Sequence, residues 1–133
     1  MVELNSLKKI VKETVDEKRP VLEDIAKYLY ENPELGSEEF KAFAKITKVL
    51  EDHGFDVDKG VYDMPTSFVA SYKGKGDGPK VAVLAEYDAL PGVGHGCGHD
   101  LIAASAVGAG IAASKAIGEL DGEVLVIGTP AEE

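Results

Sequence analysis

Disulfides, surplus positive charge and long apolar runs are all missing from this chain of 133 residues. Its one cysteine, Cys97, cannot form an internal disulfide, so no cross-linked framework exists, and a lone thiol fits a reducing compartment. Cationic side chains are scarce: 14 Lys and Arg stand against 24 Asp and Glu, a net charge of −10. That sign repels phosphate backbones and anionic bilayers, so neither nucleic acid nor a membrane is an expected partner. The most apolar stretch, Leu101 to Ala113, is too short and too rich in Gly and Ala to span a bilayer. The opening Met1-Val2-Glu3-Leu4-Asn5 lacks the charged start and apolar run of a secretory leader, and the expected location is the cytoplasm.

What is present is ordinary for a globular chain. Hydrophobic residues make up 44% and charged residues 29%. The length suits one compact domain with a real core, and no repeat, low-complexity tract or interdomain linker divides it.

Residues 5–31 place Leu7, Ile10, Val11, Val15, Leu22, Ile25, Ala26 and Leu29 at helical spacings, so an amphipathic helix is expected. Pro20 should kink or restart it, and Asn32-Pro33 should end it. Ser37 reads as the N-cap of a second helix, with Glu38 and Glu39 in its first turn, Leu50 near its end and Gly54 as its stop. Strands are expected at Phe55–Val61, Thr66–Lys73 and Lys80–Glu86, the last an apolar run suited to a buried parallel strand. A small-residue helix at about Asp100–Gly118 and a final strand at Glu123–Thr129 complete a βαβ unit, so the class is α/β. The chain stops just past that strand, which suggests a fragment or a split chain, with the last strand an unpaired edge prone to association.

Ligands bind beyond the carboxyl ends of parallel strands. Two segments leave such ends here, one from Glu86 to Asp100 and one from Thr129 onward. The topology therefore gathers Glu86, Asp88, His95, Cys97, His99, Asp100, Glu132 and Glu133 at one sheet edge. Cys97-Gly98-His99 offers a thiolate and an imidazole, both common zinc donors, or else a small buried hydrophobe and a helix-capping histidine. Glu132-Glu133 offers one carboxylate for a cation and one for proton transfer, or simply two solvated glutamates. Asp88 is either an orienting carboxylate or a turn residue before Pro91. The glycines of 92–98 give no G-x-G-x-x-G in any register, and no Walker-type Gly-Lys-Ser or Gly-Lys-Thr occurs, so a nucleotide loop is excluded.

Four motifs in order resemble the aminoacylase and carboxypeptidase family of co-catalytic metallopeptidases, in its amidohydrolase branch. They are Glu31-Asn32-Pro33-Glu34-Leu35-Gly36 with Glu38-Glu39, Ala85-Glu86-Tyr87-Asp88-Ala89-Leu90-Pro91, Gly94-His95-Gly96-Cys97-Gly98-His99-Asp100 and Thr129-Pro130-Ala131-Glu132-Glu133. The resemblance implies that residues 1–133 are the N-terminal part of a three-layer, mixed-sheet catalytic domain, without the lid and dimerisation domain. It implies Cys97, His99 and Glu133 as metal ligands, Glu132 as general base and Asp88 as the supporting carboxylate. Many relatives carry a metal-binding His where this chain has Glu86, so no ligand role passes to Glu86. The implied cofactor is zinc or manganese, two ions in the complete protein, and the implied substrate an N-acyl amino acid or small dipeptide. A homo-oligomer is expected. The alternative is a truncated, non-catalytic metal-binding or interaction module.

Overall fold

The structure, a computed structural model, describes residues 3–133. Two helices pack against one face of a four-stranded sheet, and the N-terminal helix packs on them from outside. Helix α1 spans Leu4–Glu31 and runs through Pro20 without restarting. A proline forfeits one N–H bond and crowds one carbonyl, while Ile25 and Leu29, both buried beyond it, keep the helix on the core. Its end falls where expected, at Asn32, whose side-chain amide donates to the Tyr28 carbonyl at 2.9 Å.

Helix α2 spans Phe40–Asp52 and corrects the expected cap. Ser37 lies in a turn at φ 68°, three residues before the helix, and Glu38 and Glu39 precede the first turn. The orphan amides are served instead by the Glu34 carboxylate, which accepts from Lys41 N at 3.0 Å and Ala42 N at 2.9 Å. Gly54, at φ 87°, follows the last helical turn and supplies the stop.

Strands β1 (Asp56–Lys59), β2 (Phe68–Lys73), β3 (Lys80–Ala85) and β4 (Glu123–Gly128) align in the order β1-β2-β4-β3. The pairs β1–β2 and β2–β4 are antiparallel, whereas β3 and β4 run parallel with Lys80 opposite Glu123 and Ala85 opposite Gly128. Helix α3 (His99–Ala116) connects β3 to β4, so the βαβ unit is as expected and the sheet is mixed.

Two strand expectations change. The last strand is interior, hydrogen-bonded on both sides, and the edges are β1 and β3. β3 is not a buried strand either, since Val81 is 63% and Leu84 54% exposed. Apolar composition marks β3 as a strand, but only its neighbours set its burial, and its outer edge has no partner among the described residues.

The core lies between helices and sheet: Phe68 and Ala70 from β2 and Val124 and Val126 from β4 meet Ile25, Ile46, Leu50, Val107 and Ile111. Strand alternation turns Val69, Leu125 and Ile127 to the opposite face. With a final 3-10 turn at Ile117–Glu119, the apolar segment His99–Glu119 is longer than the sequence suggested, and by length and composition it could cross a membrane. Here that apolarity is used inside the fold, because α3 is sandwiched between α1 and strands β3 and β4.

Small residues let α3 sit close to the sheet. A Cβ on Gly110 would stand 2.3 Å from Val126 Cγ2, a stiff β-branched atom in the core. Gly110→Ala is therefore expected to destabilise the chain by about 1–3 kcal/mol despite its better helix propensity. Urea denaturation checks this, and an unchanged or higher midpoint would show that the helix has slack to move.

Candidate metal centre

The parallel register carries the site. Beyond Ala85 and Gly128 both chains leave the sheet at the same edge, clamped by Thr129 N donating to the Ala85 carbonyl at 2.9 Å. The first segment runs through Glu86, buried Tyr87 and buried Asp88. Tyr87 is stacked on Phe68 with centroids 6.2 Å apart, and its hydroxyl donates to the Thr66 carbonyl. Burial, together with the Glu39 and Asp88 charges, holds that phenol far above its ordinary range, so it remains a donor.

His99, the first residue of α3, is buried and central. Its Nδ1 lies 2.8 Å from the Asp88 carbonyl oxygen. A carbonyl only accepts, so Nδ1 carries a proton, and whenever the ring is neutral the Nε2 lone pair points outward. That lone pair faces Glu86 Oε2 at 3.1 Å and Glu132 Oε2 at 3.3 Å. Three acceptors thus converge, and Glu86, His99 and Glu132 each offer a ligand atom within 4.8 Å of the others.

Asp88 ties the two loops together. Its Oδ2 accepts the Glu133 amide at 3.0 Å, while Oδ1, 3.1 Å from His99 Nδ1, is buried without a hydrogen-bond donor. Glu133 Oε1 lies 3.7 Å from His99 Nδ1. Cys97 is exposed beside Glu133, and a hydrogen bond to that carboxylate, then burial, then the Glu133, Glu132 and Asp88 charges push its thiol pKa up. His95 is half-buried with an unpartnered Nδ1; burial lowers its pKa, and the Asp100 charge pulls the other way.

The structure therefore brings together Asp88, His99, Glu132 and Glu133, with Cys97 at the rim. It adds Glu86, which the sequence placed at the edge but without a ligand role. Sequence reasoning missed the hydrogen-bonding parts of Glu34 and Glu39, whose one signal was their place in the first motif.

Burial works to lower the His99 pKa, but the bond to the Asp88 carbonyl and the charges of Asp88, Glu86 and Glu133 outweigh it, and the net shift is upward. A folded pKa above the unfolded value stabilises the fold fully below the unfolded pKa and loses that contribution as pH rises through the folded one. In the chelator-treated chain, the stability advantage of wild type over His99→Gln is expected to shrink as pH rises from about 6 upward. Urea midpoints of both chains across pH check this, and an advantage that grows with pH would contradict the assigned charge balance.

Comparison with known proteins places this geometry. The fold is that of a metal-dependent peptidase: a Bacillus subtilis protein described as a dinuclear metal-binding peptidase of the M20 family superposes with TM-score 0.78 and 32% identity, over 91% of this chain and 36% of its own. Among curated proteins, one of the subunits of p-aminobenzoyl-glutamate hydrolase from Escherichia coli is 32% identical over 98% of this chain and 31% of its own length. The mouse Xaa-Arg dipeptidase is 36% identical over 98% of this chain and 33% of its own. The homologues and structural neighbours of this chain are M20-family peptidases and amidohydrolases. No family model matches it. The chain spans about a third of the length of the curated relatives it matches.

Proposed function

We propose that the chain is the N-terminal part of the catalytic domain of a hydrolase that cleaves the amide bond of an N-acyl amino acid or small dipeptide. The relatives, one acting on p-aminobenzoyl-glutamate and one on dipeptides ending in Arg, support that substrate class. The observation that carries the reading is the convergence of the His99 Nε2 lone pair with the Glu86 and Glu132 carboxylates. With Nε2 unprotonated, acceptors at 3.1 and 3.3 Å repel one another, and a cation or a proton on His99 removes the conflict.

The residues fit a divalent cation. Imidazole, thiolate and carboxylate are donors that zinc and manganese accept, and a metal-binding His characteristically donates its other ring N–H to a carbonyl or carboxylate, as His99 does to Asp88. By the resemblance His99, Glu133 and Cys97 would hold it, two ions being expected in the complete protein, whereas the carboxylates that stand at His99 Nε2 are Glu86 and Glu132, with Glu133 nearer Nδ1. Such a cation supplies Lewis acidity, bringing water into deprotonation range near neutral pH and polarising the amide carbonyl. Glu132 would be the group that accepts a proton from the attacking water and returns it to the leaving amine. Asp88 fixes the His99 tautomer through its carbonyl and the Glu133 backbone through its carboxylate. Coordination would reverse the upward push on the Cys97 thiol, since a ligating sulfur is deprotonated.

In the complete protein, Glu132→Gln is expected to lower turnover by at least about a hundredfold while metal content is kept. Metal analysis of the purified chain, with and without Cys97→Ser, tests the centre itself: wild type should retain a divalent ion through gel filtration and the variant less of it. A Glu132→Gln enzyme with full turnover would remove Glu132 from the proton path, and a wild-type chain that takes up no metal would favour an interaction module that binds none.

A further inference from the structure

The first sequence motif finds no use in the chemistry above, yet it contributes a carboxylate with no solvent exposure at all, Glu39. Its Oε1 accepts the Thr66 hydroxyl at 3.1 Å and its Oε2 the Ala131 amide at 2.8 Å. No cation pairs with it among the described residues. Burying a carboxylate against two neutral donors is a costly way to stabilise a core, and the cost points to a task at one of the donors.

Ala131 is that donor. It stands at φ 55°, in the left-handed region where an L side chain crowds the following carbonyl. It also immediately precedes Glu132 and Glu133. The turn is also closely approached by Gly36, where an added Cβ would stand 3.0 Å from Ala131 Cβ, so glycine leaves the room Ala131 occupies. Two residues on, the Glu133 amide is held by Asp88 Oδ2 at 3.0 Å. The turn therefore hangs from two carboxylates, Glu39 at Ala131 and Asp88 at Glu133, with Glu132 between them.

We propose that Glu39 is a positioning residue: its buried carboxylate holds Ala131 in the left-handed conformation that presents Glu132 and Glu133 to the metal centre. A carboxylate suits this because it only accepts, so an oxygen aimed at an amide cannot flip to a competing donor role. The inference rests on the metal reading given under Proposed function.

The test uses Co2+ as probe on the full chain and amide exchange on the metal-free chain. Glu39→Ala is expected to weaken Co2+ binding about tenfold or more, the size of the left-handed penalty it leaves unopposed, and to alter the cobalt visible spectrum. Glu39→Gln, with its amide oxygen on Ala131 and its nitrogen on the Thr66 hydroxyl, should stay within about threefold of wild type. Ala131→Gly placed on the Glu39→Ala background should recover most of the lost affinity, because glycine adopts positive φ without penalty. A role confined to core stability would show no such rescue.

In the metal-free chain, Glu39→Ala should speed exchange at the Ala131 amide and leave core amides such as Val126 unchanged. If Glu39→Ala does not fold, Glu39→Asp, one methylene short of that amide, takes its place with the same expectations. Wild-type Co2+ affinity in Glu39→Ala, no recovery on adding Ala131→Gly, or unchanged exchange at Ala131 would each overturn the proposal. A wild-type chain that binds no Co2+ would defeat the metal reading alone, and the exchange result would still decide the part played by Glu39.

Discussion

The parallel pairing of β3 with β4 is the constraint on which the site depends. With Ala85 opposite Gly128, both strands release their chains at the same level, and Glu86 and Thr129 start their loops side by side. A slip of one residue would move one loop by about 3.3 Å and reverse which side chains face the helices. That displacement is as large as the 3.1 and 3.3 Å separations joining His99 to Glu86 and Glu132. The register is protected from the core side: Val124 and Val126 are buried against the helices, and a slip would replace them with Leu125 and Ile127. Packing remote from the site thus sets its geometry.

That geometry gathers more negative charge than the fold neutralises. Glu86, Asp88, Glu132 and Glu133 surround one imidazole at the start of α3. The helix N-terminus contributes roughly half a positive charge, and a protonated His99 contributes one. Against its burial, the His99 pKa is raised by its bond to the Asp88 carbonyl ahead of the neighbouring charges and the Cys97 pKa by its hydrogen bond to Glu133 and by burial ahead of them, and the Asp88 and Glu133 charges add to both. The unpartnered Asp88 Oδ1 belongs to this balance, because it adds field at Nδ1 without spending it on a hydrogen bond of its own.

Much of this could be read in the chain because it follows from local pattern plus topology. The apolar run of β3, the small-residue helix and β4 define a βαβ unit, and parallel strands bring their following loops together, which was enough to gather His99, Asp88 and the Glu132-Glu133 pair. The errors fall where distant contacts decide. Ser37 has the chemistry of an N-cap, but it sits in a left-handed turn ahead of the helix, and Glu34 caps α2 from seven and eight residues upstream. β3 has the composition of a buried strand, yet its sheet position leaves Val81 and Leu84 exposed. Glu39 looked like a first-turn acid and is a buried acceptor for an amide 92 residues later.

These distant contacts also explain how a half-exposed glutamate can be placed accurately. The Glu132 side chain is 47% exposed and meets the cluster only at its tip, 3.3 Å from His99 and within 4.8 Å of Glu86, so packing does little to fix it. The proton transfer proposed for Glu132 would need it within about 2.6–3.2 Å of its target, and a misplacement of about 1 Å can cost a hundredfold in rate. The needed order has to come through the backbone on either side. Thr129 is held by the Ala85 carbonyl, Ala131 by Glu39 and Glu133 by Asp88, at 2.9, 2.8 and 3.0 Å. Each of those amides is fixed by an acceptor from a different part of the chain, so the turn keeps its shape only while β3, the segment leading into α2 and the loop after β3 all stay in place. A surface turn whose shape is set by three elements of the core can carry a mobile side chain and still deliver it to one position.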